Sequence, residues 1–358
     1  MRSGGAFTKS NQYQWPEEPV ISKATNLDEV KNFSAMKAIY STRFISSFAD
    51  DCCKLCFYIT LELLRPFPFP WALRWLRMLG WLKYYVVVGA RRRAIRWMDV
   101  SLPASASETL RRRSAREQVI NSLVKDFASD LMMIQDAAKY PSLIRVEGWQ
   151  HVQQTLDSEN GALLLTTHVG MPRLLRWYLR TLDYDVCYLL KMGLPRVAKN
   201  SLRAKFGRWH RNRYNLDDDA LFGQEELSVQ YLKKAYHHLQ QNGLVNIAGD
   251  GSSGDKRVPV KICGQELSFA MGGLSLGLMT GATILPCFTM LDSSEPFRLV
   301  IQAPLQCTEG KTRTQQLESL VSAYASRIEG YIQQNPTNVF IRQYLTRASP
   351  VEFQASKL

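Results

Sequence analysis

Short apolar runs alternate with amphipathic stretches along the second half of this 358-residue chain. Continuous apolar runs are typical of buried strands, whereas apolar residues that repeat every three or four positions are typical of helices. The pattern predicts strands at Ala162–Thr166, Val186–Leu190, Leu244–Ala248, Thr283–Phe288 and Phe297–Ile301. It predicts a hairpin of Val258–Ile262 and Leu267–Phe269 around Gly264. Helices are predicted from Pro172 to about Leu182, in the stretch that ends at Gly243, at Gly272–Thr280 and at Leu317–Gln333. This alternation indicates an α/β fold with a mainly parallel sheet and helices on both faces.

The first third of the chain is organised differently. Residues 1–40 are polar with little periodicity, so we expect a loose tail. Ser105-Ala-Ser-Glu108 has the spacing of a capping box and predicts the start of a long helix that ends near Gln135. The buried face of that helix is predicted at Ile120, Val124, Phe127, Leu131 and Ile134. The predicted regions are a tail at 1–40, two or three helices within 41–104, an α/β domain at 105–345 and a tail at 346–358.

Positive charge is concentrated in one part of the chain. The formal net charge is +13, and residues 65–116 hold twelve Lys and Arg against Asp99 and Glu108. Four of the eight tryptophans lie in the same stretch, at Trp71, Trp75, Trp81 and Trp97. Basic residues interspersed with tryptophan are typical of a segment in a bilayer interface, and the alternative is a surface on which nucleic-acid bases stack. The density of Leu, Val and Phe favours an anionic membrane surface over nucleic acid as the partner.

The sequence favours a position on a membrane rather than through it. The apolar stretches Leu55–Leu64 and Trp71–Ala90 are interrupted by charged residues, so neither has the length of a span. The N-terminal residues lack the apolar centre of a signal peptide. The seven cysteines do not form two pairs with metal-ligand spacing, which predicts reduced thiols, no metal and a cytosolic environment.

Two of the predicted buried strands run into polar residues and glycine. The strand Ala162–Thr166 leads to His168 and Gly170, and the strand Leu244–Ala248 leads to Asp250. Because ligands of open α/β sheets bind beyond the carboxyl ends of the strands, we expect these residues to form a site. An imidazole transfers protons near neutral pH, and a carboxylate can orient it. The pairing predicts an enzyme.

The loop that contains Asp250 is rich in glycine and followed by two cations. Gly251, Ser252 and Gly254 can present backbone amides, and Lys256 and Arg257 can add positive charge, toward a phosphate or an oxyanion. An ordinary turn between two strands is the alternative. The loop is not a Walker A motif because the Gly-Lys-Ser/Thr ending is absent.

Several of these pieces, taken in order, resemble the lipid A late acyltransferases, the lauroyl and myristoyl transferases within the lysophospholipid acyltransferase superfamily. The resemblance covers about residues 70–345. The matching pieces are Arg91–Pro103, Val146-Glu-Gly148, Gly161 to His168, Gly243 to Asp250, Val258-Pro-Val, Gly264, Gly272 and Gly281-Ala-Thr-Ile-Leu-Pro286.

The resemblance implies a reaction, its substrates and a location. His168 would act as the general base on an acceptor hydroxyl, which attacks an acyl thioester of CoA or acyl carrier protein. No metal or redox cofactor is implied, and the acceptor is a lipid or a small molecule with a hydroxyl or amine. A superfamily block at the position of Lys256 and Arg257 binds the phosphate of the acceptor. The family implies a peripheral or monotopic protein on the cytoplasmic face of the inner membrane.

One residue departs from the family signature, in which the histidine is followed after four residues by Asp or Glu. This chain has Arg173 at that position. Asp250 could replace the missing acid, His168 could act without a carboxylate on an amine or a more reactive donor, or the fold could be inactive and bind lipid or a carrier protein. A cation in the first turn of a helix opposes the helix dipole. Arg173 is therefore predicted either to bind an anionic group of the substrate or to project into solvent.

Overall fold

A computed structural model describes residues 56–135, 143–190, 209–210, 212–214, 220–222, 228–251, 256–291, 297–307 and 312–345. The predicted tails at 1–40 and 346–358, and the first part of the predicted helical region, lie outside these residues. Within them the fold is mixed α/β, as the sequence predicts.

A mostly parallel sheet lies at the centre of the described fold. The strands are β1 (Ile144–Glu147), β2 (Ala162–Gly170), β3 (Val186–Leu190), β4 (Ala220–Phe222), β5 (Leu244–Ala248), β6 (Arg257–Ile262), β7 (Gln265–Ala270), β8 (Thr283–Met290) and β9 (Phe297–Ile301). Seven of them form one sheet in the order β1-β9-β8-β2-β5-β3-β4, in which every pair is parallel except β8 with β9. β6 and β7 form the predicted hairpin, whereas the short strands β1 and β4 were not predicted.

Helices cover both faces of this sheet. They are α1 (residues 56–64), α2 (Phe69–Val86), α3 (Val88–Ser101), α4 (Glu108–Ile134), α5 (Gln150–Asp157), α6 (Pro172–Thr181), α7 (Ser228–Gln240), α8 (Gly272–Thr280), α9 (Arg313–Gln334) and α10 (Ile341–Tyr344). Alternate residues of β2 enter two different cores: Leu163 and Leu165 pack with residues of α3, α7, α8 and α9. Ala162 and Leu164 pack with residues of α1, α2, α4, α5 and α6. Burial on both faces explains why β2 is a continuous apolar run.

The start of α4 corrects one prediction. The N-cap is Ser107, whose Oγ accepts a hydrogen bond from the amide of Leu110 at 3.2 Å, so the capping box predicted from Ser105 is wrong. A turn closed by the hydrogen bond from Ala106 N to Pro103 O places Ser105 before the helix. Glu108 then becomes the first helical residue, where its negative charge is favourable to the helix dipole.

α2 has one buried face and one exposed face. Gly80 approaches α4 so closely that a Cβ on it would lie 2.8 Å from the Cα of Ile120. The opposite face exposes large apolar side chains, among them Trp71, Trp75 and Trp81. No helix within the described ranges is both long and apolar enough to cross a membrane. Association of this region with a membrane stays a prediction.

Candidate active site

The ends of β2 and β5 bring together the two residues that the sequence singles out. These strands are parallel neighbours whose last register pair is Thr166 with Ala248. His168 and Asp250 each follow two residues later, and the register of β2 against β8 breaks between Thr166 and Gly170. His168 therefore lies in an irregular stretch just past the regular ladder, which is the position expected of a residue that faces a ligand.

The carboxylate of Asp250 contacts His168 through both of its oxygens. Oδ1 lies 2.8 Å from the ring Nδ1 of His168, and Oδ2 accepts the backbone N–H of His168 at 2.7 Å. Asp250 is fully buried, whereas 36% of the His168 side chain is exposed. A carboxylate on Nδ1 selects the tautomer in which Nδ1 carries the proton, so Nε2 is the nitrogen that can accept one.

Asp250 also makes His168 a stronger base. Burial lowers the pKa of His168, but the hydrogen bond with Asp250 and the negative charge of Asp250 together outweigh that effect. The pKa of His168 is therefore raised above its ordinary value of 6.5. The imidazole is neutral, and able to take a proton, above this raised pKa.

Two residues near the end of the described chain hold Asp250 in place. The hydroxyl of Tyr344 donates to Asp250 Oδ2, and Gln343 Nε2 donates to the backbone oxygen of Asp250 at 2.6 Å. A buried carboxylate is destabilising unless its oxygens accept hydrogen bonds, and here both oxygens do so. Sequence reasoning missed Tyr344 and Gln343, because nothing in their local pattern links them to a residue more than ninety positions away.

A cavity of about 680 Å³ lies beside His168, within the size range of small-molecule sites. Polar residues of α4 form one wall, and apolar residues of α1 and the segment beyond α9, including Tyr58 and Phe340, form others. The charged residues that line it are Lys83, Arg93, Lys125, Arg173, Arg342, Asp126 and Asp130. Positive charge therefore exceeds negative charge around the cavity, which favours an anionic ligand.

Arg173 has a partner within the protein that the sequence did not indicate. Its guanidinium pairs with the carboxylate of Asp130 on α4, within the wall of the cavity. The charge of Asp130 raises the pKa of Arg173, and the same charge offsets the unfavourable position of a cation at the start of α6. Because 63% of the Arg173 side chain remains exposed, contact with a substrate stays a prediction.

Gly170 has a steric reason to be glycine. Its φ is +78°, and a Cβ on it would lie 1.2 Å from the backbone oxygen of Thr289. The same oxygen accepts the amide of Met171 at 3.0 Å, which fixes the turn from β2 into α6. Gly170 lines the cavity, so a larger residue would displace the wall there; its contact with a substrate stays a prediction.

The predicted phosphate loop is only partly described. Ser252 and Gly254 lie outside the described residues. The backbone oxygens of Gly251 and Lys256 accept amides at the end of β7 and just after it. Lys256 and Arg257 are exposed, and none of Gly251, Lys256 and Arg257 is among the described residues that line the cavity. Lys256 and Arg257 therefore lie outside the described wall of the cavity, and their role with a phosphate stays a prediction.

Lys125 is a further cavity residue that the sequence did not signal. Its Nζ is buried and donates to the backbone oxygen of Asn338 at 2.8 Å. Burial lowers the pKa of Lys125 to about 7, against an opposing effect of Asp126. The helical periodicity places Lys125 on the buried side of α4. Nothing in the sequence indicates that a cavity lies beside that position.

Comparison with known families gives one result. The model of the family described as bacterial lipid A biosynthesis acyltransferase matches residues 54–345, which is more than half of the chain. No curated protein matches the chain.

Proposed function

Because this chain belongs to the bacterial lipid A biosynthesis acyltransferase family and is an acyltransferase, we propose that it moves an acyl group from a thioester donor to a hydroxyl or amine of its acceptor, with His168 as the general base. Membership of the family implies an acyl donor and a lipid acceptor. The contact of 2.8 Å between His168 Nδ1 and Asp250 Oδ1, at the edge of a cavity, is the observation that carries the proposal.

The proposed reaction needs one base that later acts as an acid. Nε2 of His168 takes the proton from the acceptor as its oxygen or nitrogen forms a bond with the thioester carbonyl carbon. The tetrahedral intermediate then expels the thiolate by breaking the carbon–sulfur bond, and the imidazolium returns the proton to the sulfur. The products are the ester or amide and a free thiol. Asp250 stabilises the imidazolium between the two steps.

The geometry supports the first of the three explanations for Arg173. Asp250 contacts the ring nitrogen that an acid of the signature would contact, and it does so from the neighbouring strand. Arg173 pairs with Asp130 instead, and a guanidinium has no acceptor atom that could bind the N–H at Nδ1 of His168. We therefore assign the orienting role to Asp250.

The charge of the cavity supports an anionic donor. CoA and the prosthetic arm of acyl carrier protein both carry phosphate, and cationic side chains bind phosphate. Lys83, Arg93 and Arg342 all line the cavity. We propose that one of these two donors binds there, with its thioester close to His168, and that no further cofactor takes part.

The proposal is tested by supplying both donors. The purified protein is incubated with acyl-CoA or with acyl carrier protein that bears an acyl thioester, together with a bacterial lipid extract, and both the free thiol and the acylated lipid are measured. We expect equal amounts of thiol and acylated product with one of the donors. Tight binding of lipid or carrier protein without turnover, over a range of acyl lengths, would instead identify an inactive binding protein.

We also propose that the exposed face of α2 binds an anionic bilayer on the cytoplasmic side of the inner membrane, as a peripheral or monotopic contact. Trp71, Trp75 and Trp81 are each about half exposed on this face, and Arg74 and Arg77 lie between them in sequence. Tryptophan and arginine together suit the interface between lipid and water.

Replacement of the three tryptophans by serine is expected to weaken binding to vesicles that contain anionic phospholipid by about tenfold or more, because each loses apolar area buried in the bilayer. Binding is measured by vesicle flotation or by light scattering, because neither depends on tryptophan fluorescence. The matched control replaces Leu110, Leu182 and Leu232, which are similarly exposed outside α2, by serine. Equal binding by both triple variants contradicts the assignment, as does binding of nucleic acid without binding of vesicles.

A further inference from the structure

The segment of residues 335–345, which follows α9, lies against the irregular end of β2. The amide of Phe340 donates to the backbone oxygen of His168 at 3.0 Å, and Val339 forms an antiparallel bridge with Val169. The side chain of Asn338 also exchanges two hydrogen bonds with the backbone of Leu291, just beyond β8. The backbone around His168 is therefore held by this segment as well as by the sheet.

A row of side chains on α4 fixes the other side of the segment. Gln118, Asn121 and Lys125 follow one another at the spacing of one helix face. They donate to the backbone oxygens of Val339, Thr337 and Asn338 at 3.1, 3.3 and 2.8 Å, respectively. Trp97 on α3 donates to the backbone oxygen of Pro336 at 2.9 Å. Because this segment is held from both sides, its last residues, which form α10, have a fixed position.

The residues of α10 contact Asp250. Tyr344 is fully buried, and its hydroxyl donates to Asp250 Oδ2, the oxygen that also accepts the amide of His168. Oδ1 is then left to face His168 Nδ1. Tyr344 and His168 thus bind the same carboxylate.

We propose that Tyr344 is a positioning residue of the active site, whose hydroxyl holds the carboxylate of Asp250 in the orientation that contacts His168. The inference rests on the proposed function of the pair. A hydroxyl that donates to a carboxylate draws part of its negative charge away from the second partner. Without the Tyr344 hydroxyl, more of the negative charge of Asp250 is left to stabilise the imidazolium, which raises the pKa of His168.

The chain offers a matched control in Tyr324 on α9. Both tyrosines are fully buried, and burial raises the pKa of each phenol well above its ordinary value, so both are neutral near pH 7. The hydroxyl of Tyr324 donates to the backbone oxygen of Thr166 at 2.9 Å instead of to Asp250. Tyr344→Phe and Tyr324→Phe therefore each remove one buried hydroxyl, but only the first removes a donor to the carboxylate.

Other ionisable groups surround the pair, and the comparison keeps them constant. Those that line the cavity with His168 are Lys83 on α2, Arg93 on α3, Lys125, Asp126 and Asp130 on α4, Arg173 on α6 and Arg342 on α10. Tyr324 on α9 interacts electrostatically with Asp250 and with Cys287 on β8, whose pKa burial raises. Neither substitution changes any of these groups apart from the tyrosine replaced.

The test measures the pKa of His168 by NMR titration in the wild-type protein and in both variants, together with kcat/KM against pH. The signal of His168 among the five histidines is identified by its absence in His168→Ala. We expect Tyr344→Phe to raise the pKa of His168 by roughly 0.5–1 unit and to lower kcat/KM near pH 7 by about fivefold or more. We expect Tyr324→Phe to leave both the pKa and the pH profile as in the wild type.

A second variant keeps the test valid if Tyr344→Phe does not fold. Fluorotyrosine at position 344 retains the hydroxyl and makes it a stronger donor, so it is expected to lower the pKa of His168. Equal pKa shifts in the two phenylalanine variants, or no shift with either change at position 344, overturn the inference. Loss of activity in His168→Ala with an unchanged pKa in the position 344 variants refutes this inference alone, whereas full activity of His168→Ala refutes the proposed function.

Discussion

Replacement of His168 by alanine is expected to lower kcat/KM for acyl transfer by about 10²–10⁴-fold, because the acceptor then loses its proton only to water. The fold is expected to persist. More than a third of the His168 side chain is exposed, and Asp250 still accepts hydrogen bonds from the amide of residue 168 and from Tyr344. Thermal unfolding and circular dichroism of the variant verify this.

Two further variants make the result specific. His168→Gln keeps a side-chain donor for Asp250 but has no atom that takes up a proton near pH 7, so its loss of activity is expected to be comparable. His237→Ala removes an exposed histidine on α7 and is expected to retain full activity. An active His168→Ala variant, measured with the same donor and acceptor, contradicts the assignment of the general base.

Replacement of Asp250 by asparagine is expected to lower kcat/KM by about 10²–10⁴-fold while the histidine remains in place. An amide N–H directed at Nδ1 favours the tautomer with the proton on Nε2, which then cannot accept one from the acceptor. The neutral amide also fails to stabilise the imidazolium. Asparagine matches the size of aspartate, so the effect is electrostatic and not a cavity in the core.

A distant pair with the same residue types is the control. Asp185 lies 3.9 Å from His238 Nδ1, and its side chain is almost fully exposed. Asp185→Asn is expected to leave kcat/KM unchanged, because a pair exposed to solvent contributes little and lies outside the set of residues that line the cavity. A loss in Asp250→Asn no larger than in Asp185→Asn would mean that Asp250 does not orient the base.

The strands of the core were predictable because burial on both faces leaves a continuous apolar run. β3, β5 and β9 have the predicted bounds to the residue. β2 extends four residues beyond its prediction, to Gly170, because its last residues pair again with β8 after the break in register. The contact between His168 and Asp250 followed from two strand ends and the rule that such ends meet at one edge of a parallel sheet.

The rest of the site depends on contacts between positions that no local pattern connects. Asp130 pairs with Arg173 from a helix forty-three residues earlier, and Tyr344 reaches Asp250 from ninety-four residues later. The predicted N-cap of α4 was wrong for a different reason. Ser105 and Ser107 are chemically identical, and only the turn that follows Pro103 decides which of them precedes the helix.

The dependence of kcat/KM on pH, compared between the wild-type protein and Asp250→Asn, tests the coupling of the two residues most directly. Because the base must be neutral and Asp250 raises the pKa of His168, the wild-type rate is predicted to rise with pH through an apparent pKa above 6.5. In Asp250→Asn the effect of burial, which lowers the pKa of His168, is no longer opposed by Asp250. The acid limb of kcat/KM is therefore predicted to move to lower pH. An acid limb at the same pH in both proteins, or an acid limb of the wild type at or below pH 6.5, contradicts the account.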